Sequence, residues 1–402
     1  MWHTAPLFAG LAGITAALLQ FAGALKTTPA LAGLPFDLTL VCGLALCGLL
    51  PLLLAGGGWR FSRALALPLL GAAGLWLWWV VASVWSVNGN AAMAKLVPIV
   101  LVGPVMLVAG LLVGADATGR QALARTVICL GAFTGAAVAW GVAHHAVVLG
   151  GAIGADPARI RVQYQLVGLA VATAAGLTAT GLVVAPRGLA LALRGILLLG
   201  LAAAVLIPGG RAAFLAMGAV VALMPALLLW LRGTPSRAML WLAALLLIAL
   251  AGLGFVLSVP ERFNGIRTIE RILGDPADGP EERLAMWRAA LRMVDGLGIG
   301  PGGFPQAAGF GADPGMHPHN HALEALTEGG LPGLVLWLLA FGGAALVALA
   351  RLPRVAPERA VTIGTLVLPV AVTVMVSTDL SNRMAWFALG LTLSLAVERR
   401  HV

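Results

Sequence analysis

The sequence predicts an all-α polytopic membrane protein with about twelve spanning helices and one long external loop. Three observations carry this. The chain is 60% hydrophobic and only 10% charged, whereas a soluble globular chain is roughly 25% charged. Apolar runs of span length recur along it. The charges sit in short connections and in a single polar segment.

Taken in order, the spans cover residues about 5–25, 34–55, 64–87, 96–114, 126–149, 162–184, 189–208, 212–231, 238–258, 320–350, 360–377 and 384–397. The first lacks a basic segment ahead of it and is long enough to span, so it reads as a helix rather than a cleavable leader. Cys42, Cys47 and Cys129 all fall inside apolar runs with no CxxC or Cys/His spacing, which makes them packed small side chains. The last span is short. Three segments follow: spans one to nine over 1–258, a loop over 259–319, and spans ten to twelve with a tail over 320–402.

Lys and Arg placement sets the orientation. One set of connections holds Arg60, Arg63, Arg120, Arg125, Arg187, Arg194, Arg232, Arg237, Arg351, Arg354 and Arg359, with Arg399 and Arg400 in the tail, against three acids, Asp116, Glu358 and Glu398. The short connections of the other set hold Lys26, Lys95, Arg159, Arg161, Arg211 and Arg383. The positive-inside rule puts the first set and both termini in the cytoplasm and the long loop outside. Long translocated loops escape that rule, so the loop's own arginines do not oppose it. The net charge of +9 is thus spent on topology. It forms no basic face with interleaved aromatics, which excludes nucleic acid.

The external loop has two parts. Residues 260–282 are polar and turn-rich, with Asp275 and Asp278 among Pro and Gly as turn residues rather than a metal pair. ERLAMWRAALRMVDG then reads as an amphipathic helix with Leu284, Trp287, Ala290, Leu291 and Val294 on one face and Arg288 and Arg292 opposite. Arg283 interrupts the apolar face, so it either snorkels or points into a site. Arg211, in PGGRAAF at an external helix end, is either a snorkelling end residue or an anion ligand, since a guanidinium binds two oxygens at once. GLGIGPGGF lacks the strand, GK[ST] and soluble helix of a phosphate loop, and reads as a close-packed turn.

HPHNHALEALTEGGLPG, residues 317–333, is the densest cluster. His317, His319 and His321 alternate at the mouth of an apolar helix that carries Glu324 and Glu328 one turn apart. Ionisable groups at a membrane boundary are costly and usually functional. Pro318 distorts any zinc-binding strand. A helix N-terminus attracts anions and disfavours imidazolium, which keeps His319 neutral and able to accept a proton. The bland alternative is a capping or interfacial histidine. Asn320, Glu324 and Glu328 share one face, where they orient a histidine or line an acceptor pocket. GGLPG loosens the helix one turn later.

These motifs resemble the O-antigen ligase and polymerase superfamily, which includes the oligosaccharyltransferases that glycosylate pilins. The ligase pattern of His, an amide or hydroxyl residue, nine residues, Gly, two residues, Gly is matched at His319, Asn320, Gly330 and Gly333. Arg283 and Trp287 match an Arg-x-x-x-Trp helix before a Gly-rich turn, and Arg211 matches a short external Arg motif. Arg161 fits a further Arg motif loosely, without the Asn of that motif, in ARIRVQYQLVG with Gln163 and Tyr164 beside it. The N-terminal half matches in hydropathy only.

The resemblance implies a C-type membrane glycosyltransferase of lipopolysaccharide biosynthesis in the bacterial inner membrane. The donor would be a glycan on undecaprenyl diphosphate, the acceptor a lipid A–core or other glycan hydroxyl, and the site periplasmic. Arg211, Arg283 and His319 would be catalytic. Arg161, Trp287, Arg288, His317, Asn320, His321, Glu324 and Glu328 would bind substrate. No metal or cofactor is expected, because guanidinium groups can take the place of a divalent cation. Ligase, polymerase and protein oligosaccharyltransferase share the motifs, and the His–Asn spacing favours ligase. A transporter is the competing class; transporters usually show repeated halves and broken helices with polar sites near the midplane, whereas here polar residues cluster at one external face and no repeat is visible.

Overall fold

A computed structural model of the chain describes residues 5–149, 159–184, 188–263, 266–273, 281–294, 296–311 and 316–399. Asp275, Asp278, Arg187 and Arg400 lie outside the described residues. The helices are α1 Ala5–Lys26, α2 Leu38–Ala55, α3 Ala66–Ala82, α4 Gly89–Val97, α5 Gly103–Ala115, α6 Ala117–Ala143, α7 Tyr164–Val184, α8 Leu189–Leu206, α9 Arg211–Leu231 and α10 Pro235–Ser258. There follow the short α11 Arg267–Leu273, α12 Glu282–Arg292 and α13 Phe304–Ala307, then α14 His321–Trp337, α15 Gly343–Arg351, α16 Pro357–Val376 and α17 Arg383–Ser394.

Among the described residues, eleven helical stretches are long and apolar enough to cross a membrane. The twelfth predicted span is the 12-residue α17, which ends at Ser394 and turns into a strand, β4 (Val397–Arg399 in the numbering that follows β1 Trp59–Phe61, β2 Val147–Leu149 and β3 Ile160–Val162). α17 is nonetheless central. It lies along α5 so closely that a Cβ on Gly110 would stand 2.3 Å from the Phe387 carbonyl, and one on Gly390 2.1 Å from that of Leu107. Glycine at both positions lets the backbones touch, the usual basis of helix association where lipid supplies no hydrophobic drive. Met106 of α5 and Trp386 of α17 are both fully buried.

The arginine-rich connections converge on one side. β1 pairs antiparallel with β4. Arg399 meets Asp116 at 2.6 Å, Arg232 meets Glu358 at 2.7 Å, and Arg351 donates to Ser62. The opposite connections converge on the other side: Lys26 pairs with Asp37, Gln163 N–H donates to Thr27, and Ser86 donates to the Pro301 carbonyl. Lys95 is a correction to the sequence reading. It is not in a connection but inside a helical stretch that starts at Gly89 and runs through a π-turn at Pro98–Val102 into α5.

The tenth span is also not one straight helix. Gly330 has φ 65° and ψ −163° within α14. The His321 and Phe341 rings are 6.1 Å apart, whereas twenty residues of straight helix would separate them by about 30 Å. The chain therefore doubles back at Gly330. The Gly-rich turn before α13 fills the break. Pro332 has no N–H for the Glu328 carbonyl, which accepts from Gly300 N–H instead. Ile299 N–H takes the Thr327 carbonyl, and Leu331 N–H turns to that of Gly296. Three backbone groups freed by the break thus find partners in the turn. Gly298 (φ 78°) makes this possible, because a Cβ there would stand 2.4 Å from Gly330 N.

Candidate active site

α9 starts at Arg211, straight after the Gly209–Gly210 turn. α11 brings Arg271 to the same place, and α12 brings Arg283. These three line one narrow pocket with Tyr164, Gly210 and Ser377. Arg211 Nη1 donates to the Arg271 carbonyl at 3.2 Å, Arg271 Nη1 donates to the Gly209 carbonyl at 3.0 Å, and the Arg271 guanidinium lies 5.4 Å from the Tyr164 ring centre. Backbone carbonyls and an aromatic face thus hold like charges together, an arrangement that favours an anion with several oxygens. The two arginines singled out from sequence, Arg211 and Arg283, do meet. Arg271 was missed; its one signal is the i, i+4 spacing from Arg267 on RTIERIL.

The buried face of α12 differs from the predicted one. Met286 and Ala290 are buried, with Arg283, Trp287 and Met293 part-buried beside them. Leu284, Leu291 and Val294 are exposed. The face is rotated by about one residue because the contact is with α14 and α13, not with a flat apolar surface. Arg283 remains on the inward side and lines the pocket. Arg288 and Arg292 are exposed, and Arg288 does not line the pocket.

The histidine segment runs beside this pocket. Trp287 Nε1 donates to the Pro318 carbonyl at 2.7 Å, so its indole N–H serves to clamp the segment. His319 has φ 51°, a left-handed conformation that costs a non-Gly residue about 1–3 kcal/mol and that persists only where the surroundings enforce it. Here Trp287 holds the preceding residue and Asn320 the following one. Asn320 caps α14, accepting from Leu323 N–H at 3.0 Å and donating to the Met375 carbonyl at 3.0 Å. His319 Nδ1 lies 3.4 Å from the Ser377 carbonyl. A carbonyl only accepts, so Nδ1 carries the proton and Nε2 keeps its lone pair. The His317 ring lies 3.9 Å from that of His319, tilted 49°.

Burial, with the charges of His317 and Arg283, brings His319 down to about 4. The direction is the one expected from sequence, but burial rather than the helix field is its main cause. Burial would raise the nearby Asp379 carboxyl. The charges of Lys95 and His317 and the Ser381 hydroxyl, 2.6 Å away, outweigh it and hold Asp379 ionised.

His321, Glu324 and Glu328 occupy a different setting from the expected one. All three are fully buried. His321 Nε2 is 3.5 Å from Thr378 Oγ1, and its ring faces Phe341 edge-on. Lys95 Nζ sits between the two carboxylates, 2.5 Å from Glu324 and 2.9 Å from Glu328. Glu324 also accepts from Leu380 N–H at 2.8 Å. The two acids therefore tie α4, α14 and the 377–382 connection together around the histidines, instead of lining an open acceptor pocket. Lys95 and Asp379 were missed as members of this cluster. STDLSN between the last two spans is the signal that could have located Asp379. Nothing local in sequence marks Lys95.

Arg161 is exposed on β3, opposite Val148 of β2, and outside the arginine pocket. Tyr164 lines that pocket. Among the described residues no three His, Cys, Asp or Glu side chains are grouped as metal ligands would be.

Residues 195–338 match the family described as O-antigen ligase. The stretch includes Arg211, Arg271, Arg283 and His319, and it supports the O-antigen ligase and polymerase superfamily and a glycosyl-transfer or ligase type of enzyme. No curated protein matches the chain.

Proposed function

We propose that this membrane protein transfers a polysaccharide from undecaprenyl diphosphate to a sugar hydroxyl of lipid A–core. The observation that carries the proposal is the side-by-side placement of the Arg211–Arg271–Arg283 pocket and an uncharged, strained His319.

The acceptor hydroxyl oxygen forms a bond to the anomeric carbon of the donor. The bond from that carbon to the diphosphate breaks, and its electron pair leaves with the diphosphate. The three guanidinium groups stabilise the charge that develops there. The hydroxyl proton passes to His319 Nε2. Attack opposite the leaving group inverts the anomeric configuration. With arginines supplying the positive charge, no step calls for a metal.

Convergence of the arginine-rich connections on one side supports a cytoplasmic placement for that side in the bacterial inner membrane. The 259–319 loop and the histidines would then face the periplasm, with both termini in the cytoplasm.

A lipopolysaccharide gel of a strain lacking the gene, complemented with wild type or His319→Ala, tests this. Bare core with accumulated lipid-linked polymer, rescued by wild type only, is the expected result. Core bearing a single repeat unit would make the protein a polymerase instead. An unchanged ladder would overturn the lipopolysaccharide assignment and reopen the transporter reading.

A further inference from the structure

A second cavity, of about 840 Å³, shares Ser377 with the arginine pocket. It is bounded by α1, the start of α7 and the 377–384 connection, with His317 on its wall. Lys26, Asp379 and Arg383 line it together with neutral polar and apolar side chains. Gln20, Thr27, Gln163, Thr378, Ser381 and Asn382 present amides and hydroxyls, the groups that pair with sugar hydroxyls.

Two of its lining residues each carry a buried polar atom without a partner in the protein. Gln20 is 2% exposed and Ser377 4% exposed, and neither Gln20 Oε1 nor Ser377 Oγ has a hydrogen-bond partner in the protein. Buried polar atoms are rarely left without partners, because each costs about 1–3 kcal/mol. Gln20 lies on α1, an otherwise apolar helix whose neighbours Leu19 and Phe21 are core residues. An amide there that packing alone does not use calls for a function.

We infer that this cavity binds the sugar hydroxyls of the acceptor glycan, with Gln20 and Ser377 as direct contacts. The inference rests on the glycosyl-transfer reading and adds a location and residues to it. Displacement with inversion requires the nucleophile on the side of the anomeric carbon opposite the leaving group. If the diphosphate occupies the arginine pocket, the acceptor needs a separate approach to His319, and this cavity adjoins that pocket at Ser377 and carries His317 on its wall. Ser377 lines both cavities, and its carbonyl orients His319.

The test is steady-state transfer by the purified full-length protein, from undecaprenyl diphosphate-linked polysaccharide to lipid A–core, with each substrate varied in turn. Binding of undecaprenyl diphosphate alone is measured in parallel. Gln20→Leu and the exposed Gln163→Ala are compared with wild type. Each should raise the acceptor KM about tenfold, the effect of one lost polar contact in a buried site, and leave the donor KM and undecaprenyl diphosphate binding unchanged. Gln163→Ala guards against a folding defect, because that side chain is exposed. A rise in donor KM with an unchanged acceptor KM would assign the cavity to the donor glycan and overturn the inference while glycosyl transfer stands. Unchanged constants in both variants would also overturn it. Wild-type protein that binds no undecaprenyl diphosphate and transfers nothing would remove both readings.

Discussion

Lys95 Nζ lies 2.5 Å from a carboxylate oxygen of Glu324, a residue 229 positions away in sequence, and 2.9 Å from Glu328. Lys95 is 13% exposed and both acids are 0% exposed. One cation thus serves two buried carboxylates, and Glu324 in turn holds the backbone of Leu380. Removing one partner of a buried ion group leaves the others uncompensated, which costs about 3–5 kcal/mol. Lys95→Met should lower the melting temperature in detergent sharply, and Lys95→Met with Glu324→Gln and Glu328→Gln should recover much of it. A single variant that melts like wild type would show that the cluster does not hold the histidine segment.

Arg271 should matter as much as Arg211 and Arg283. Loss of one preorganised donor to a developing anion lowers turnover about 10²–10³-fold. Alanine at each of the three should do so in a transfer assay, while Arg292→Ala, on the exposed side of α12, should stay near wild type. An active Arg271→Ala protein would reduce the anion site to two arginines.

The pH profile should report His319. Its ordinary value is 6.5 and its value here about 4. As a base it works unprotonated, so kcat/KM should hold through pH 6 and fall only as pH drops toward 4. The stability effect has the same sign. Between pH 6.5 and 4 the unfolded chain takes a proton that the folded chain refuses, so stability falls as pH is lowered through that window. His319→Gln should remove this contribution. An acid limb near 6.5 would mean that the catalytic base is another group.

Gly298→Ala and Gly330→Ala should each destabilise by about 2 kcal/mol or more, because both positions need positive φ and both Cβ atoms would meet backbone closer than 3 Å. Purification yield and melting temperature would show this. Wild-type behaviour would mean that the turn and the helix break separate easily.

Transfer should persist in EDTA, since three guanidinium groups supply the charge that a divalent ion would otherwise bring. Strict dependence on magnesium or manganese would contradict the mechanism proposed above.

The sequence by itself determined the membrane class, most spans, the separation of arginine-rich connections, and Arg211, Arg283 and His319 as candidates. These are local properties: hydropathy over a span, a cation interrupting an apolar helix face, and histidines at a helix mouth. Only the tertiary structure decided which distant groups meet. The reversal at Gly330 depends on a turn some thirty residues upstream that accepts and donates the freed backbone bonds. Lys95 reads as a topology lysine until α4 packs on α14. Arg271 reads as one more loop arginine until α11 docks beside α9 and Tyr164. Glu324 and Glu328 were visible as a pair, but their role depends on whether a cation or a cavity faces them. Hydropathy and helical period fix which residues share a face, while what that face meets is set by packing between segments far apart in the chain.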